Sequence, residues 1–443
     1  MNTPICEFIE KYRQSNPLRL HMPGHKGKGF LGFEDSDITE IPGADSLYSA
    51  SGIIKESEAN AASLFGAHTF YSAEGSSLSI RAMLYLTVLY SKSQGKEPLV
   101  LAARNAHKVF LSAVSLLDIN VKWLDTSESS YLSFSLDTDL LEREIVREKP
   151  TALYLTSPDY LGNICDIAAA SDVCNRHGVL LLVDNAHGAY MKFLPESRHP
   201  IDLGAHMCAD SAHKTLPALT GAAYLHVSRS APAILRERAR DALGLFGSTS
   251  PAYLILASLD KVNAYIADGY REKLAEFTKK VECVKDMLTS KGFELVGDEI
   301  LKITIATKSY GYTGYEIADY MRLSGIECEF ADPDFIVFML TPELFDYDLA
   351  SFTAAFYELA KKERIDVLPP KAAVHSLAIS PREAMMSEWE NVAVRDSVGR
   401  ILASPCVACP PAVPVLMCGE VIGKDDVRAF LYYGVDTVTV VKA

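Results

Sequence analysis

The chain has 443 residues, of which 49% are hydrophobic, and a formal net charge of −14 at pH 7. This length predicts two or three domains, and the acidic charge argues against binding to nucleic acid or to anionic membranes. No apolar stretch is long enough to span a bilayer and the N-terminus does not resemble a secretory signal, so we expect a cytoplasmic protein. The nine cysteines are scattered, and no second pair accompanies Cys406 and Cys409, so we expect reduced thiols and no metal.

The predicted elements begin with a helix over Pro4–Gln14 and an irregular segment over 21–50. Helices then alternate with short apolar runs, which we predict to be strands. The seven predicted strands are 67–73, 98–103, 120–125, 151–156, 179–185, 206–210 and 222–227. Runs such as 179–183 are apolar without alternation, which is typical of strands buried on both faces. The pattern therefore predicts an α/β fold with a seven-stranded, mostly parallel sheet.

The rest of the chain predicts a long helical region, a smaller α+β domain and a C-terminal tail. Its predicted elements are a helical region at 250–290, helices at 315–324, 347–362 and 381–389, strands at 302–307 and 336–340, a Pro-rich turn region at 405–414 and a final strand. The predicted domains are an N-terminal segment (1–50), a large domain with a bridging helix (51–290), a small α+β domain (291–370) and a C-terminal segment (371–443).

Polar side chains follow several predicted strands at their carboxyl ends, where an open parallel sheet binds its ligand. After the first strand, Glu74-Gly75-Ser76-Ser77 combines a Gly, two hydroxyls and a helix N-terminus. That combination suits a phosphate group, and a Ser-capped helix is the alternative. After the second strand, His107 is placed either to stack on a planar cofactor or to serve a structural role.

Asp184 ends the fifth predicted strand, and Lys214 follows the sixth in the run Ser211-Ala212-His213-Lys214-Thr215. A buried acid needs a partner, which for Asp184 is a protonated pyridine nitrogen, a helix N-terminus or a metal. Burial favours the neutral amine of Lys214, which can then form an imine; an ordinary surface lysine is the alternative. The order of phosphate loop, His, Asp and Lys is that of a pyridoxal phosphate (PLP) site.

These motifs resemble those of the ornithine/lysine/arginine decarboxylase family, which are PLP enzymes of fold type I. The resemblance covers nearly the whole chain. It is carried by His21-Met22-Pro23-Gly24-His25-Lys26-Gly27, Pro42-Gly43-Ala44-Asp45-Ser46-Leu47, Glu74-Gly75-Ser76-Ser77, Arg104-Asn105-Ala106-His107-Lys108, Asp184-Asn185-Ala186-His187-Gly188, Ser211-Ala212-His213-Lys214-Thr215-Leu216, Ser248-Thr249-Ser250-Pro251-Ala252-Tyr253 and Gly399-Arg400-Ile401. The long bacterial members begin with a response-regulator-like domain, so we expect this chain to be a short form.

The resemblance implies a set of site residues. Lys214 would carry PLP as a Schiff base, Asp184 would bind the pyridine nitrogen, and His107 would stack on the ring. His213 would be a candidate proton donor, so the implied catalytic residues are Lys214, His213, Asp184 and His107. The implied cofactor-binding residues are Glu74, Gly75, Ser76, Ser77, His107, Asp184, Ala186, His187, Ser211, His213, Lys214, Ser248 and Thr249. Ser248 and Thr249 would come from the neighbouring subunit, which implies a homodimer with shared active sites.

The implied reaction is α-decarboxylation of arginine, lysine or ornithine, as in polyamine biosynthesis, giving the amine and CO2. Three positions depart from the family pattern: Asn185 replaces a Glu, Ser404 replaces an acid and Cys409 replaces a Tyr. A different PLP reaction such as transamination, or a catalytically altered PLP-binding homologue, therefore remains an alternative. A nucleotide-binding protein is disfavoured, because no Gly-x-Gly-x-x-Gly follows the early strands.

Overall fold

The computed structural model describes residues 1–124, 130–370, 376–404 and 412–442. The chain divides into two compact units. Unit 1 consists of Met1–Pro98 and Ile167–Leu274, and unit 2 of Leu99–Asp166 and Ala275–Ala443. The domain boundaries proposed from the sequence remain a prediction.

Seven strands form the large sheet, and all seven are the predicted ones. They are β1 (His68–Ser72), β2 (Leu99–Ala103), β3 (Asn120–Leu124), β4 (Ala152–Thr156), β5 (Leu180–Asp184), β6 (Met207–Asp210) and β7 (Ala223–Val227). Their order in the sheet is β1-β7-β6-β5-β4-β2-β3. β7 runs antiparallel to β1 and β6, whereas β5 pairs in parallel with β6, and β2 with β3 and β4. The predicted α/β class with a mostly parallel sheet is confirmed.

Helices alternate with these strands and continue beyond them. They are α1 (Pro4–Gln14), α2 (Ile53–Phe65), α3 (Gly75–Ser93), α4 (Lys108–Leu117), α5 (Thr138–Glu148), α6 (Ile167–His177), α7 (Ala212–Thr215), α8 (Ala233–Glu237), α9 (Ala239–Phe246), α10 (Tyr253–Ala267), α11 (Tyr270–Lys291), α12 (Gly314–Leu323), α13 (Asp346–Glu358), α14 (Pro381–Met386) and α15 (Lys424–Tyr432). The helical region predicted over 250–290 consists of two helices, α10 and α11, which are separated at Gly269, whose φ of +78° lies outside the helical conformation.

Unit 2 also contains two small antiparallel sheets. Their strands are β8 (Glu294–Val296), β9 (Lys302–Ala306), β10 (Phe330–Ala331), β11 (Phe335–Met339), β12 (Trp389–Ala393) and β13 (Thr437–Val441). The orders are β10-β11-β9-β8 and β12-β13. This confirms the smaller C-terminal α+β part of the fold.

The prediction of one helix in the C-terminal segment is wrong, because both α14 and α15 lie there. The predicted helix at 381–389 also extends too far. It ends at Met386, and Trp389 begins β12, where it pairs with Val441. This long-range pairing overrides the local helical pattern. The Pro-rich turn region falls largely on residues 405–411, outside the described residues.

Two further expectations concern cysteines and membranes. The seven cysteines in the described parts of the chain are all free thiols, and Cys406 and Cys409 lie outside those parts. Among the described residues, no helix combines the length and the hydropathy needed to cross a membrane.

Candidate active site

Lys214 lies in the short helix α7, directly after β6, and is half-buried. Its Nζ is 3.0 Å from Nε2 of His187, and His187 is buried. The segment that follows β5 and the segment that follows β6 therefore meet at these two side chains. A proton can pass between an amine and an imidazole nitrogen at this distance.

Asp184 is the last residue of β5 and is buried, with 2% of its surface exposed. The N–H of Ala186 donates to Asp184 Oδ1 at 3.2 Å. Asp184 pairs with Ala209 in the sheet, so the end of β5 lies beside the part of β6 that leads to Lys214. The parallel register thus brings the predicted acid and the predicted lysine to one edge of the sheet within unit 1.

The predicted phosphate loop lies at the N-terminus of α3, which has 19 residues. Glu74 is the N-cap residue and makes no capping side-chain bond, so the alternative of a Ser-capped helix does not apply. Instead, the Ser211 hydroxyl donates to the Ser76 hydroxyl at 2.9 Å. Gly75 has φ +70°, and a Cβ built there would meet no atom within 4 Å. The structure thus leaves open space beside a helix N-terminus and two hydroxyl groups, as a phosphate requires.

A serine that was not predicted as a site residue fixes the shape of this loop. Ser72, the last residue of β1, has no exposed surface. Its hydroxyl accepts from the N–H of Glu74 at 3.2 Å and donates to the carbonyl of Gly75 at 2.8 Å. Gly75 N–H in turn donates to the carbonyl of Gly221 at 2.7 Å. A Ser two residues before Glu74 is the sequence signal that could have identified it.

His213, the predicted proton donor, is bonded to the sheet. Its Nδ1 lies 2.8 Å from the carbonyl of Ala222, so Nδ1 carries the proton. Burial lowers the pKa of His213, and the positive charge of Lys214 adds to this effect. The ring is therefore neutral near pH 7 and presents Nε2 as a proton acceptor. Its part in catalysis stays a prediction.

Ser248 and Thr249 are exposed. The N–H of Ser248 donates to Glu74 Oε1 at 2.6 Å within the same chain. This contact places the 248–250 loop beside the residue that begins the phosphate loop. The contribution of this loop to the site of a neighbouring subunit stays a prediction. Ser77 and Ala186, also predicted to bind the cofactor, lie in the α3 and post-β5 segments, respectively.

In unit 2, His107 is the N-cap residue of α4, where its Nδ1 accepts from the N–H of Val109 at 3.2 Å. The neighbouring Arg104 forms a two-fold ion pair with the fully buried Glu420, with N–O distances of 2.7 and 2.9 Å. The N–H of Lys108 donates to the carbonyl of Ala412 at 2.8 Å. The C-terminal segment is therefore fixed against the His107 loop.

The two altered C-terminal positions lie just before that contact. Ser404 is half-buried, and Cys409 lies in 405–411, outside the described residues. The chain returns to the described part at Ala412, which contacts the His107 loop.

The fold and the order of these groups define the PLP-dependent enzymes of fold type I, and solved structures share that fold. A lysine decarboxylase of Francisella novicida has a TM-score of 0.80 at 17% identity, covering 99% of this chain and 81% of its own. A lysine decarboxylase of Pseudomonas aeruginosa has a TM-score of 0.80 at 18% identity, covering 99% and 80%.

Sequence comparison identifies the family within that class. The family model described as "Orn/Lys/Arg decarboxylase, major domain" matches residues 3–306, and that described as "Orn/Lys/Arg decarboxylase, C-terminal domain" matches residues 362–436. The chain belongs to the ornithine/lysine/arginine decarboxylase family and is a PLP-dependent amino-acid decarboxylase.

Relatives match over nearly their full length. The uncharacterized protein YaaO of Bacillus subtilis (strain 168) is 30% identical, over 97% of this chain and 93% of its own. An arginine decarboxylase of the same strain is 28% identical, over 98% and 94%. An arginine decarboxylase of Halalkalibacterium halodurans is 29% identical, over 96% and 92%.

The residues of unit 1 fit this cofactor. The open space at Gly75 and the Ser76–Ser211 hydroxyl pair suit its phosphate group, and the buried Asp184 suits its pyridine nitrogen. Thr215, next to Lys214, is buried, and its hydroxyl has no hydrogen-bond partner among the described residues. A buried hydroxyl without a partner is costly, so a ligand atom in this region would stabilise it.

Proposed function

We propose that the chain decarboxylates a basic amino acid at the unit 1 site, releasing CO2 and the corresponding amine. The observation that carries the proposal is the position of Lys214, His187, Asp184 and the Ser76–Ser211 pair at the carboxyl ends of β1, β5 and β6. Arginine is the substrate to test first, because relatives that match over nearly their full length are named arginine decarboxylases. Polyamine biosynthesis is the corresponding proposed role.

Each residue has a proposed task in this reaction. When bound, PLP supplies an aldehyde carbon for the substrate amine and a ring that accepts electrons. Lys214 would hold the cofactor, and His187 Nε2 would take or return a proton at Lys214 Nζ. Asp184 would pair with the pyridine nitrogen and keep a proton there. Ser76 and Ser211 would bind the phosphate and fix the orientation of the ring.

We further propose a cytoplasmic homodimer in which Ser248 and Thr249 contribute to the neighbouring site. Their exposure and their position beside Glu74 support this proposal. A cross-complementation test examines it: inactive Lys214→Ala subunits are mixed with subunits carrying Ser248→Ala and Thr249→Ala. Recovery of activity in the mixed dimer supports shared sites, and activity equal to the sum of the separate variants contradicts them.

The test of the reaction is product analysis with arginine, lysine and ornithine. CO2 and the matching amine in equal amounts are expected for one of the three. A keto acid as the product contradicts decarboxylation and favours transamination. Release of CO2 only from other amino acids contradicts the proposed substrate class.

A further inference from the structure

A buried polar network lies at the ends of β5 and β6, next to the site. Asp210, the last residue of β6, has no exposed surface, and its carboxylate accepts four hydrogen bonds. His199 Nε2 is 2.9 Å and His226 Nε2 is 3.2 Å from Oδ2. Asn185 Nδ2 is 2.8 Å and the Cys208 thiol is 3.1 Å from Oδ1. All four hydrogen bonds to the buried Asp210 carboxylate therefore come from side chains.

The contacts around the two histidines fix the direction of these bonds. His199 Nδ1 accepts from the N–H of Ile201 at 3.3 Å, so the proton of a neutral ring is on Nε2, facing Asp210. His226 Nδ1 is 2.9 Å from the Thr69 hydroxyl, which can donate to it and leave Nε2–H for Asp210. Asp210 is thus an ionised acceptor. Burial opposes the charge, but the two histidines outweigh burial and lower the pKa of Asp210.

This network connects the two segments that carry the site. Asn185 follows Asp184 directly, and Asp210 directly precedes Ser211. The backbone N–H of Asn185 also donates to the carbonyl of Ala209 at 3.0 Å. Among the described residues, the Asn185 side-chain oxygen is buried without a partner, so the bond to Asp210 fixes the orientation of this amide.

We propose that Asn185 and Asp210 are positioning residues for the PLP site, setting the separation between Asp184 and the segment from Ser211 to Lys214. This inference rests on the proposed roles of those site residues. An acidic side chain at position 185 would face Asp210 with a second carboxylate, so this buried acid requires a donor such as the Asn185 amide.

The test exchanges the charges of the pair while keeping its size. The variants are Asn185→Asp, Asp210→Asn and the double variant, each freed of PLP and titrated with PLP by fluorescence and by the visible absorbance of bound cofactor. Asn185→Asp places two carboxylates in contact and is expected to weaken PLP binding at least about tenfold. Asp210→Asn is expected to weaken it less, because Asn185 can turn its free oxygen toward the new amide.

The double variant is expected to bind PLP within about threefold of wild type. In it, the amide introduced at position 210 can accept from both histidines and donate to the carboxylate introduced at position 185. Wild-type affinity in Asn185→Asp, or a double variant as weak as Asn185→Asp, would overturn the proposal. His199, Cys208 and Asp210 also offer ligand atoms within 4.8 Å of one another. A stoichiometric metal ion that is lost in Asp210→Asn would therefore overturn it too.

Asn263→Asp is the matched control in the same unit. Asn263 on α10 is fully buried, and its amide donates to the Ser57 carbonyl at 3.1 Å and the Tyr71 hydroxyl at 2.6 Å. This change is expected to lower thermal stability and leave PLP affinity unchanged. An equal loss of PLP affinity in Asn263→Asp would contradict a positioning role. Because PLP binding is measured apart from turnover, a wild type that binds PLP but decarboxylates no basic amino acid contradicts the proposed substrate and not this inference.

Discussion

Units 1 and 2 both bury charged side chains, but they use them differently. In unit 1, Asp184 and Asp210 close adjacent strands, and Lys214 follows within four residues. In unit 2, the buried Glu420 pairs with Arg104, which is 316 residues away in the chain. The strand ends of unit 1 therefore place polar groups where a ligand would bind, whereas this ion pair of unit 2 fixes the C-terminal segment.

Two buried acids, one in each unit, differ in the groups that oppose the effect of burial on the pKa. Asp210 in unit 1 has four side-chain donors, and its pKa is lowered. Asp332 in unit 2 is also buried, and two backbone N–H groups, of Asp334 and Phe335, donate to it. Burial raises the pKa of Asp332 to about 7, and the nearby charge of Asp334 adds to this effect. The two histidines outweigh burial at Asp210, whereas two backbone N–H donors do not outweigh it at Asp332.

The largest expected effect is a loss of catalysis in unit 1 with little change in stability. Lys214→Ala should lower decarboxylation at least about a thousandfold, because the amine that binds the cofactor is removed. Mass spectrometry after borohydride reduction should find no PLP attached to the chain, and the melting temperature should change little, since Lys214 is half-buried. The exposed Lys261 on α10 provides the control, Lys261→Ala. Covalently retained PLP in Lys214→Ala would contradict the assignment.

In unit 2, we expect the opposite: a loss of stability with little change in cofactor attachment. Glu420→Gln leaves the Arg104 guanidinium, 11% exposed, without its carboxylate, which should lower the free energy of unfolding by about 3–5 kcal/mol. Urea denaturation measures this change, and covalent attachment of PLP in the folded fraction should persist. Glu148→Gln breaks a pair with the exposed Arg147 on α5 and should change the urea midpoint little. Equal midpoints for both variants would contradict the structural role of the Arg104–Glu420 pair.

A smaller catalytic effect is expected from Asp184→Asn. The neutral amide cannot hold a proton on the pyridine nitrogen, so turnover should fall about ten- to a hundredfold. PLP content should remain near wild type, because Ser76 and Ser211 still bind its phosphate. Steady-state kinetics and cofactor absorbance measure the two quantities. Unchanged turnover would show that Asp184 stabilises the end of β5 and does not act on the cofactor.

The last prediction concerns the pH dependence of stability and is tested with Asp332→Asn. Its pKa rises from an ordinary 3.8 to about 7 in the folded protein, so the folded state binds this proton first as the pH falls. This group therefore makes wild type lose stability as the pH rises from about 4 to 7. The neutral Asn avoids that loss, so the urea midpoint of the variant should exceed that of wild type at pH 8 by more than it does at pH 5. A variant less stable than wild type at pH 8 would be the contrary result.

The strands of the large sheet could be predicted because local sequence determines them. Runs such as 179–183 can only be buried on both faces, and every predicted strand ends within one residue of the observed one. Local sequence does not predict an element whose secondary structure depends on long-range contacts. Trp389 lies in a strand because it pairs with Val441, which nothing near Trp389 in the chain indicates.

The candidate site was predictable only in part, for the same reason. Strand ends placed Asp184 and Lys214 correctly at one edge of unit 1, since a parallel register follows from the order of the strands. The partners of Asp210 could not be predicted, because His199 and His226 lie 11 and 16 residues away and meet it only across the fold. An acid at the end of a buried strand was nevertheless a sign that such partners exist.

The bond between Asn185 and Asp210 also has a consequence for how relatives diverge. Substituting an acid for Asn185 without a compensating change at Asp210 brings like charges together at a fully buried position. The two positions must therefore vary as a pair, and a relative with Glu in the place of Asn185 should carry a neutral or donating residue in the place of Asp210. Ancestral reconstruction should find both substitutions on the same branch, with the amide-to-acid change never preceding loss of the other acid.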